Sequence, residues 1–228
     1  MRAVVHSPFA EDPSRREHQQ PSRLQPELRL VSGASRGSAG SLGPRLAAIV
    51  AADMVDFTRH MAEHEARTHA RCTARRRTVV EPGLARHGAR IIKHTGDGFI
   101  AEFSSATQAV WFALRFQVAV RAWNVRRARE RSLEFRVGIN LGDVIVEAHD
   151  VFGHSVNIAT RLESAARPGG VLVSHAVFVS VRDPRMLFED AGDLALKNID
   201  EPVRGFHVRL SAPAKSRGAA RRARLTPA

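Results

Sequence analysis

The sequence predicts an α+β protein built on a ferredoxin-like β-α-β-β-α-β core, and three observations lead there. Short apolar runs alternate with segments of helical period in that order. Gly- and Pro-rich punctuation separates them, with Gly88, Gly96-Asp97-Gly98, Leu141-Gly142-Asp143 and Pro168-Gly169-Gly170 as the clearest breaks. The 228 residues, 43% hydrophobic and 25% charged, are enough for one sizeable core.

Each element has its own signal. Residues 46–52 form an apolar run ending at Asp53, suited to a buried strand. Thr58 is placed to cap a helix in which Met61, Ala62, Glu65, Ala66 and Ala70 recur near helical spacing. Pro82 and Gly83 interrupt that helix and Gly88 ends it. Residues 90–94 and 99–103 read as a hairpin around Gly96-Asp97-Gly98. A long helix, 104–129, places Ala106, Ala109, Val110, Ala113, Leu114 and Gln117 on one side, and Trp111, Phe112, Phe116 and Trp123 are expected in the core or at a dimer contact. Residues 135–140 and 144–147 are expected as two strands joined by a turn containing Asp143. A helix over 155–166 and a strand over 171–174 follow.

The flanks differ in kind. Residues 1–44, with six arginines, four acids and many Pro, Ser and Gln, are expected to be a disordered segment. Residues 211–228 carry Lys215, Arg217, Arg221, Arg222 and Arg224 with no acid and are expected to be a disordered basic tail. Much of the net charge of +12 therefore lies outside the domain expected at 45–210, which argues against a domain that reads nucleic acid specifically. No apolar run approaches the ~20 residues that span a bilayer, no signal-peptide pattern opens the chain, and a cytoplasmic protein is expected. The single cysteine, Cys72, excludes an internal disulfide framework and a cysteine-cluster metal site. His60 and His64 share helical spacing and read as a solvated helix face.

Asp53 and Asp97 are the chemistry-bearing candidates. The first ends the opening strand and the second sits in the hairpin turn. In this topology the first and third strands are adjacent, so the two carboxylates are expected to approach each other. Hard oxygen ligands of this kind hold Mg²⁺ and leave positions for phosphate oxygens. Met54-Val55-Asp56-Phe57-Thr58 then leads into a helix whose N-terminal amides form an anion site. No Walker loop or Gly-x-Gly-x-x-Gly fingerprint is present.

Four segments, in order, carry a resemblance: Ala52-Asp53-Met54-Val55-Asp56-Phe57-Thr58, Lys93-His94-Thr95-Gly96-Asp97-Gly98, Arg136-Val137-Gly138-Ile139-Asn140-Leu141-Gly142-Asp143-Val144, and Val156-Asn157-Ile158-Ala159-Thr160-Arg161-Leu162-Glu163. Together they resemble class III nucleotidyl cyclases from about Arg45 to Leu210. The resemblance implies that fold, and an adenylate cyclase that converts ATP to 3′,5′-cyclic AMP and pyrophosphate at sites shared across a homodimer. It implies Mg²⁺ or Mn²⁺, two per site, on Asp53, Asp97 and the Met54 carbonyl. Lys93 and Asp150 match the pair that reads the purine, Asn157 the residue that orients the ribose, and Arg161 the residue that stabilises the reacting phosphate. Asp56, Phe57 and Thr58, through their amides, and Lys197 would meet the phosphates. Where the family has glycine between the metal aspartate and the aromatic residue, this chain has Asp56, a carboxylate close to a triphosphate. The regulatory partner is not named by the sequence.

The base reading also stands on chemistry. Adenine offers an N1 acceptor and an N6 donor, which suit Lys93 and Asp150, while guanine reverses both and would leave polar groups unpaired. Guanylate cyclase is the nearest alternative. A catalytically silent nucleotide-binding module and a nucleic-acid binder acting through the basic tail are the others.

Overall fold

The structure, a computed structural model, describes residues 44–125, 132–146 and 151–211, with backbone alone at Val146, Val151 and Phe152. Asp150 and both flanking segments lie outside the described residues. Strand β1 (Arg45–Met54) is the axis of the sheet, flanked by the antiparallel neighbours β3 (Phe99–Phe103) and β4 (Phe135–Val146). With β2 (Arg90–His94) outside β3, the order β2-β3-β1-β4 is that of the expected ferredoxin-like core. The sheet continues through β6 (Val171–Ser174), parallel to β4, then β8 (Val203–Leu210) and β7 (Met186–Leu194), while β5 (Val151–Phe152) pairs with the end of β4.

Strand alternation sends β1 side chains to two faces. Ala48, Val50, Ala52 and Met54 enter the larger core, together with Phe99, Ala101 and Phe103 of β3. Helix α3 (Ala106–Asn124) seals that face, started by Ser105, whose Oγ accepts from the Gln108 amide. The phenylalanines interlock there: Phe116 meets Phe99 and Phe135 edge-on, with ring centroids 5.7 and 5.1 Å away. Phe116 is 2% exposed, so truncating it to alanine would cost about 3–5 kcal/mol. Trp111 and Trp123 are half-buried against the same core.

Ala47, Ile49 and Ala51 point the other way, toward helix α4 (His154–Ala165). This helix carries the parallel crossover from β4 to β6. It lies on β4 where glycines leave room: a Cβ on Gly138 would fall 2.2 Å from the Ala159 carbonyl oxygen, and one on Gly142 would fall 2.4 Å from Ser155 Oγ. The remaining part of this face, over β2 and β3, presents Ile92 and Ile100 half-buried and Lys93 exposed.

Several expectations need correction. Residues 141–143 are not a turn. β4 runs unbroken for 12 residues because the ten-residue β1 pairs along its whole length, with Ala47 opposite Gly142 and Leu46 opposite Asp143. Gly142 thus marks a close helix approach rather than a chain reversal. Thr58 does not cap the first helix. That helix, α1 (Phe57–Arg75), starts one residue earlier with Asp56 at the cap, kinks at His64 (φ −155°), and buries His60, whose carbonyl accepts from Thr68 Oγ1 at 2.9 Å. A π-helical turn, Arg76–Val80, joins it to α2 (Glu81–Arg86), where Pro82 occupies the first turn and Gly88, at φ +62°, follows the end. Helix α5 (His175–Ser180), β7 and β8 had no expected counterpart. Cys72 is half-buried.

Candidate active site

The site is built at the end of β1. Ala52 pairs with Phe99, so β3 begins beside Asp53. The β2–β3 turn closes with the Thr95 amide donating to the Gly98 carbonyl at 3.2 Å, and Gly96 takes the left-handed conformation it requires (φ +88°). Gly98 is wedged against β1: a Cβ there would fall 2.0 Å from the Ala52 carbonyl oxygen and 2.9 Å from Asp53 Oδ1. Only glycine lets the turn sit this close, and the turn carries Asp97 to Asp53.

The two carboxyls meet within hydrogen-bonding reach. Burial first, then the charge of Asp97 and the hydrogen bond to it, push the Asp53 carboxyl up to about 6. The Met54 amide and the Arg136 guanidinium act in the opposite direction. Two half-buried acids pressed together in this way repel when both are charged, which favours a cation beside them. Among the described residues no group of three or more His, Cys, Asp or Glu is arranged to hold an ion, so any site here is a two-carboxylate one, to be completed by backbone and substrate oxygens. The donor set, hard and anionic, fits Mg²⁺ or Mn²⁺. Met54 could offer only its backbone, since the residue is 3% exposed in the core.

Beside this pair the chain turns into α1. Asp56 adopts φ 55°, ψ 30°, its side chain makes no capping bond, and its carbonyl accepts the His60 amide at 3.1 Å. Phe57 packs against the larger core, which anchors the helix start, and Thr58 is exposed. No acid lies within the first turn itself, though Asp56 carries a carboxylate at its cap; the turn's free amides form an anion site.

Asn157 and Arg161 lie four residues apart on α4, on the side away from the packed Ser155, Ala159 and Leu162, Asn157 exposed and Arg161 half-buried. Among the described residues no hydrogen bond or ion pair links either to Asp53 or Asp97. Lys93 follows a register shift in β2 and stands opposite Ile100, exposed on the open sheet face. Lys197 is exposed on the β7–β8 connection, held there by Leu196, which is buried against Leu162 of α4. The structure therefore brings the two aspartates together with the start of α1 and leaves Lys93, Asn157, Arg161 and Lys197 at separate places on the chain.

Two neighbours of the pair escaped the sequence reading. Arg136 is the cross-strand partner of Asp53, and the buried Glu163 feels the charges of both aspartates. Both lie inside the quoted segments. The usable signal was strand alternation, which puts Arg136 on the same face as Gly138 and Asn140.

The profile of the adenylate and guanylate cyclase catalytic domain matches residues 45–209. A Rhizobium meliloti protein provisionally named adenylate cyclase 3 is 43% identical over 164 residues, 72% of this chain. The chain spans only 28% of that relative's length. A crystal structure from Silicibacter pomeroyi, titled adenylate/guanylate cyclase/hydrolase, is 36% identical, with a TM-score of 0.68 over 74% of this chain and 99% of its own. The adenylyl cyclase CyaB from P. aeruginosa, 24% identical, shares the fold, with a TM-score of 0.65 over 75% of this chain and 98% of its own.

Proposed function

The chain belongs to the adenylate and guanylate cyclase catalytic domain family, and from that premise we propose that it is an adenylate cyclase, forming 3′,5′-cyclic AMP and pyrophosphate from ATP in a homodimer. The observation that carries this reading is the Asp53–Asp97 pair set beside the N-terminus of α1. A catalytic end of this kind is made for a nucleoside triphosphate bound with cations.

Asp53 and Asp97, with the Met54 carbonyl, would hold two divalent cations, Mg²⁺ or Mn²⁺. When bound, such ions ease loss of the ribose 3′ proton and offset charge on the departing pyrophosphate. The chain's own groups do the rest. Amides of Asp56, Phe57 and Thr58 bind phosphate oxygens, and Lys197 reaches the far end of the triphosphate. Arg161 offers a fixed fork of donors to the α-phosphoryl group as charge builds on it, and Asn157 orients the ribose so that its 3′-oxygen stands in line with phosphorus. Lys93 donates to adenine N1 and Asp150 accepts from N6. No protein nucleophile takes part, so positioning and electrostatics provide the acceleration.

The placement of the residues supports the dimer. Asn157 and Arg161 lie on the side of α4 away from its packed Ser155, Ala159 and Leu162, so in this reading a second copy completes each site. The half-buried Ile92 and Ile100 beside Lys93 give it an apolar surface to meet. No helix among the described residues is long and apolar enough to cross a membrane.

The test is to supply ATP or GTP, each with Mg²⁺ or Mn²⁺, and to follow cyclic nucleotide and pyrophosphate, with Asp97→Ala beside it. Cyclic AMP from ATP, lost in the variant and scant from GTP, is the expected result. Cyclic GMP from GTP in excess of cyclic AMP from ATP would move the reading to guanylate cyclase. Absence of product from a protein that still binds ATP would leave a silent nucleotide-binding module.

A further inference from the structure

The sheet leaves a gap beside β6. That strand has four residues and β8 has eight, and the two pair only at Gly205, Phe206 and His207 of β8. The last three residues of β8 thus run on past the paired stretch. The turn that follows α4 stands there instead, tied to α3 by side chains. Gln117 Nε2 donates to the Phe135 and Gly170 carbonyls at 2.9 and 2.8 Å, and Arg121 Nη2 donates to the Gly169 carbonyl at 2.9 Å. Gly169 and Gly170 have no side chains to fill the space, and a cavity of about 400 Å³ opens between α3, this turn and the end of β8. None of the described residues given a catalytic role lines it.

The lining combines three kinds of group. Leu114 and Val118 of α3 give an apolar wall. Arg121, Arg167 and Arg209 bring three guanidiniums against one acid among the described lining residues, Glu189. The Arg167–Glu189 ion pair is 3.8 Å long between side chains 67% and 60% exposed, so it offsets little of that charge. Gln117 is 4% exposed. Its two donated bonds use both hydrogens of Nε2, and its buried Oε1 accepts from nothing among the described residues. A buried acceptor in that state carries a cost that a donor would relieve. The basic residues 211–228 that follow Leu210 have the wrong sign for this cavity. We propose that the cavity is a binding site for a small organic acid with an apolar body and an O–H or N–H group remote from the acid. The carboxylate meets the guanidiniums, the body lies against Leu114 and Val118, and the donor serves Gln117 Oε1.

Titration of the full chain with 4-hydroxyphenylacetate, followed by ligand-observed NMR, tests this without turnover. Wild type is expected to bind it with a dissociation constant of about 1 mM or below, the scale for a ligand of this size. The neutral 2-(4-hydroxyphenyl)ethanol is expected to bind at least about tenfold more weakly, for loss of the bonds to charged donors. 4-Methylphenylacetate, which keeps the acid and lacks the hydroxyl, is expected to bind about three- to tenfold more weakly. Val118 is 53% exposed, so Val118→Glu and Val118→Gln can be made without opening the core, each checked by its melting temperature. They add the same bulk, and Val118→Glu is expected to bind the probe about tenfold more weakly than Val118→Gln, because only it sets a carboxylate against the ligand's own. No saturable binding by wild type up to about 10 mM overturns the proposal. Equal binding of the acid and the alcohol overturns it as well. Equal binding by the two Val118 variants would place the probe elsewhere on the chain and overturn it too.

Discussion

The carboxyls of Asp53 and Asp97 lie within hydrogen-bonding reach of each other, brought there by a turn that only glycine at position 98 can press against β1. A pair that close is strained while both members are charged. The Asp53 carboxyl, pushed up to about 6 from an ordinary 3.8, binds its proton more tightly folded than unfolded. Its protonation therefore favours the fold below that window, and the benefit is lost as pH rises through about 6. The cation-free protein should accordingly melt at a lower temperature at about pH 8 than at about pH 5 so far as this group decides it, and Asp53→Asn should reduce that difference. Mn²⁺ should raise the melting temperature strongly at the higher pH and little at the lower, where it competes with a proton. Calorimetric melts of both proteins with and without Mn²⁺ check this; equal Mn²⁺ stabilisation at both pH values would contradict it.

Asp56 holds a left-handed backbone conformation (φ 55°) at the head of α1. Asp tolerates this region better than most residues, but glycine adopts it freely. For stability the change Asp56→Gly gains that conformational relief and loses an acid next to the helix N-terminus, each worth about 0.3–1 kcal/mol, so the melting temperature should barely move. For a triphosphate bound at the same amides the carboxylate is pure repulsion. Asp56→Gly should lower the KM for ATP several-fold with a small change in kcat, measured by initial rates. Asp56→Ala, which keeps a Cβ in the left-handed region, should melt lower than Asp56→Gly.

Much of the fold was legible because local signals agreed with tertiary ones. The apolar 46–52 run, the Gly-Asp-Gly turn and the helix periods of α3 and α4 all correspond to observed elements. Asp53 and Asp97 could be placed together from topology alone. Gly142-Asp143 misled because a Gly-Asp pair signals a turn locally, whereas here the length of β1 and the approach of Ser155 decide the matter. β7 mixes acids into its sequence, MLFEDAGDL, since an edge strand with one exposed face lacks the apolar run that reveals buried strands. By local pattern alone Glu163 reads as one more charge on a helix surface. Its burial comes from Gly138 on another element, and that contact has no trace in the local pattern.

Lys93 stands exposed on the open sheet face, opposite Ile100, so its replacement should not disturb the core. If its ammonium donates to adenine N1, Lys93→Glu puts an acceptor against an acceptor and at the same time offers guanine N1–H a partner. The ratio of kcat/KM for ATP to that for GTP should fall by roughly 100-fold or more, since an unpaired buried polar group costs about 1–3 kcal/mol on each substrate and the two changes compound. Melting temperature should stay unchanged. A ratio that does not move would separate Lys93 from the base.

Gly138 and Gly142 both lie under α4, yet their substitutions should differ. At Gly138 the added methyl meets backbone, the Ala159 carbonyl oxygen at 2.2 Å and the Glu163 amide nitrogen at 2.1 Å, so the helix itself must shift. At Gly142 the nearest atom is Ser155 Oγ at 2.4 Å, with Ser155 Cβ already at 3.4 Å, and a hydroxyl can rotate. Gly138→Ala should therefore cost about 3 kcal/mol, the upper end for overpacking, against about 1 kcal/mol for Gly142→Ala. Adding Ser155→Ala should recover most of the loss at Gly142, because the Ser155 backbone carbonyl that accepts from Asn140 Nδ2 at 3.2 Å is untouched. Since α4 also carries Asn157 and Arg161, Gly138→Ala should lower kcat by more than its loss of folded protein explains, whereas Gly142→Ala should not. Urea denaturation alongside initial rates at saturating ATP separates the two effects; equal stability losses at the two glycines would show that α4 is free to slide on the sheet.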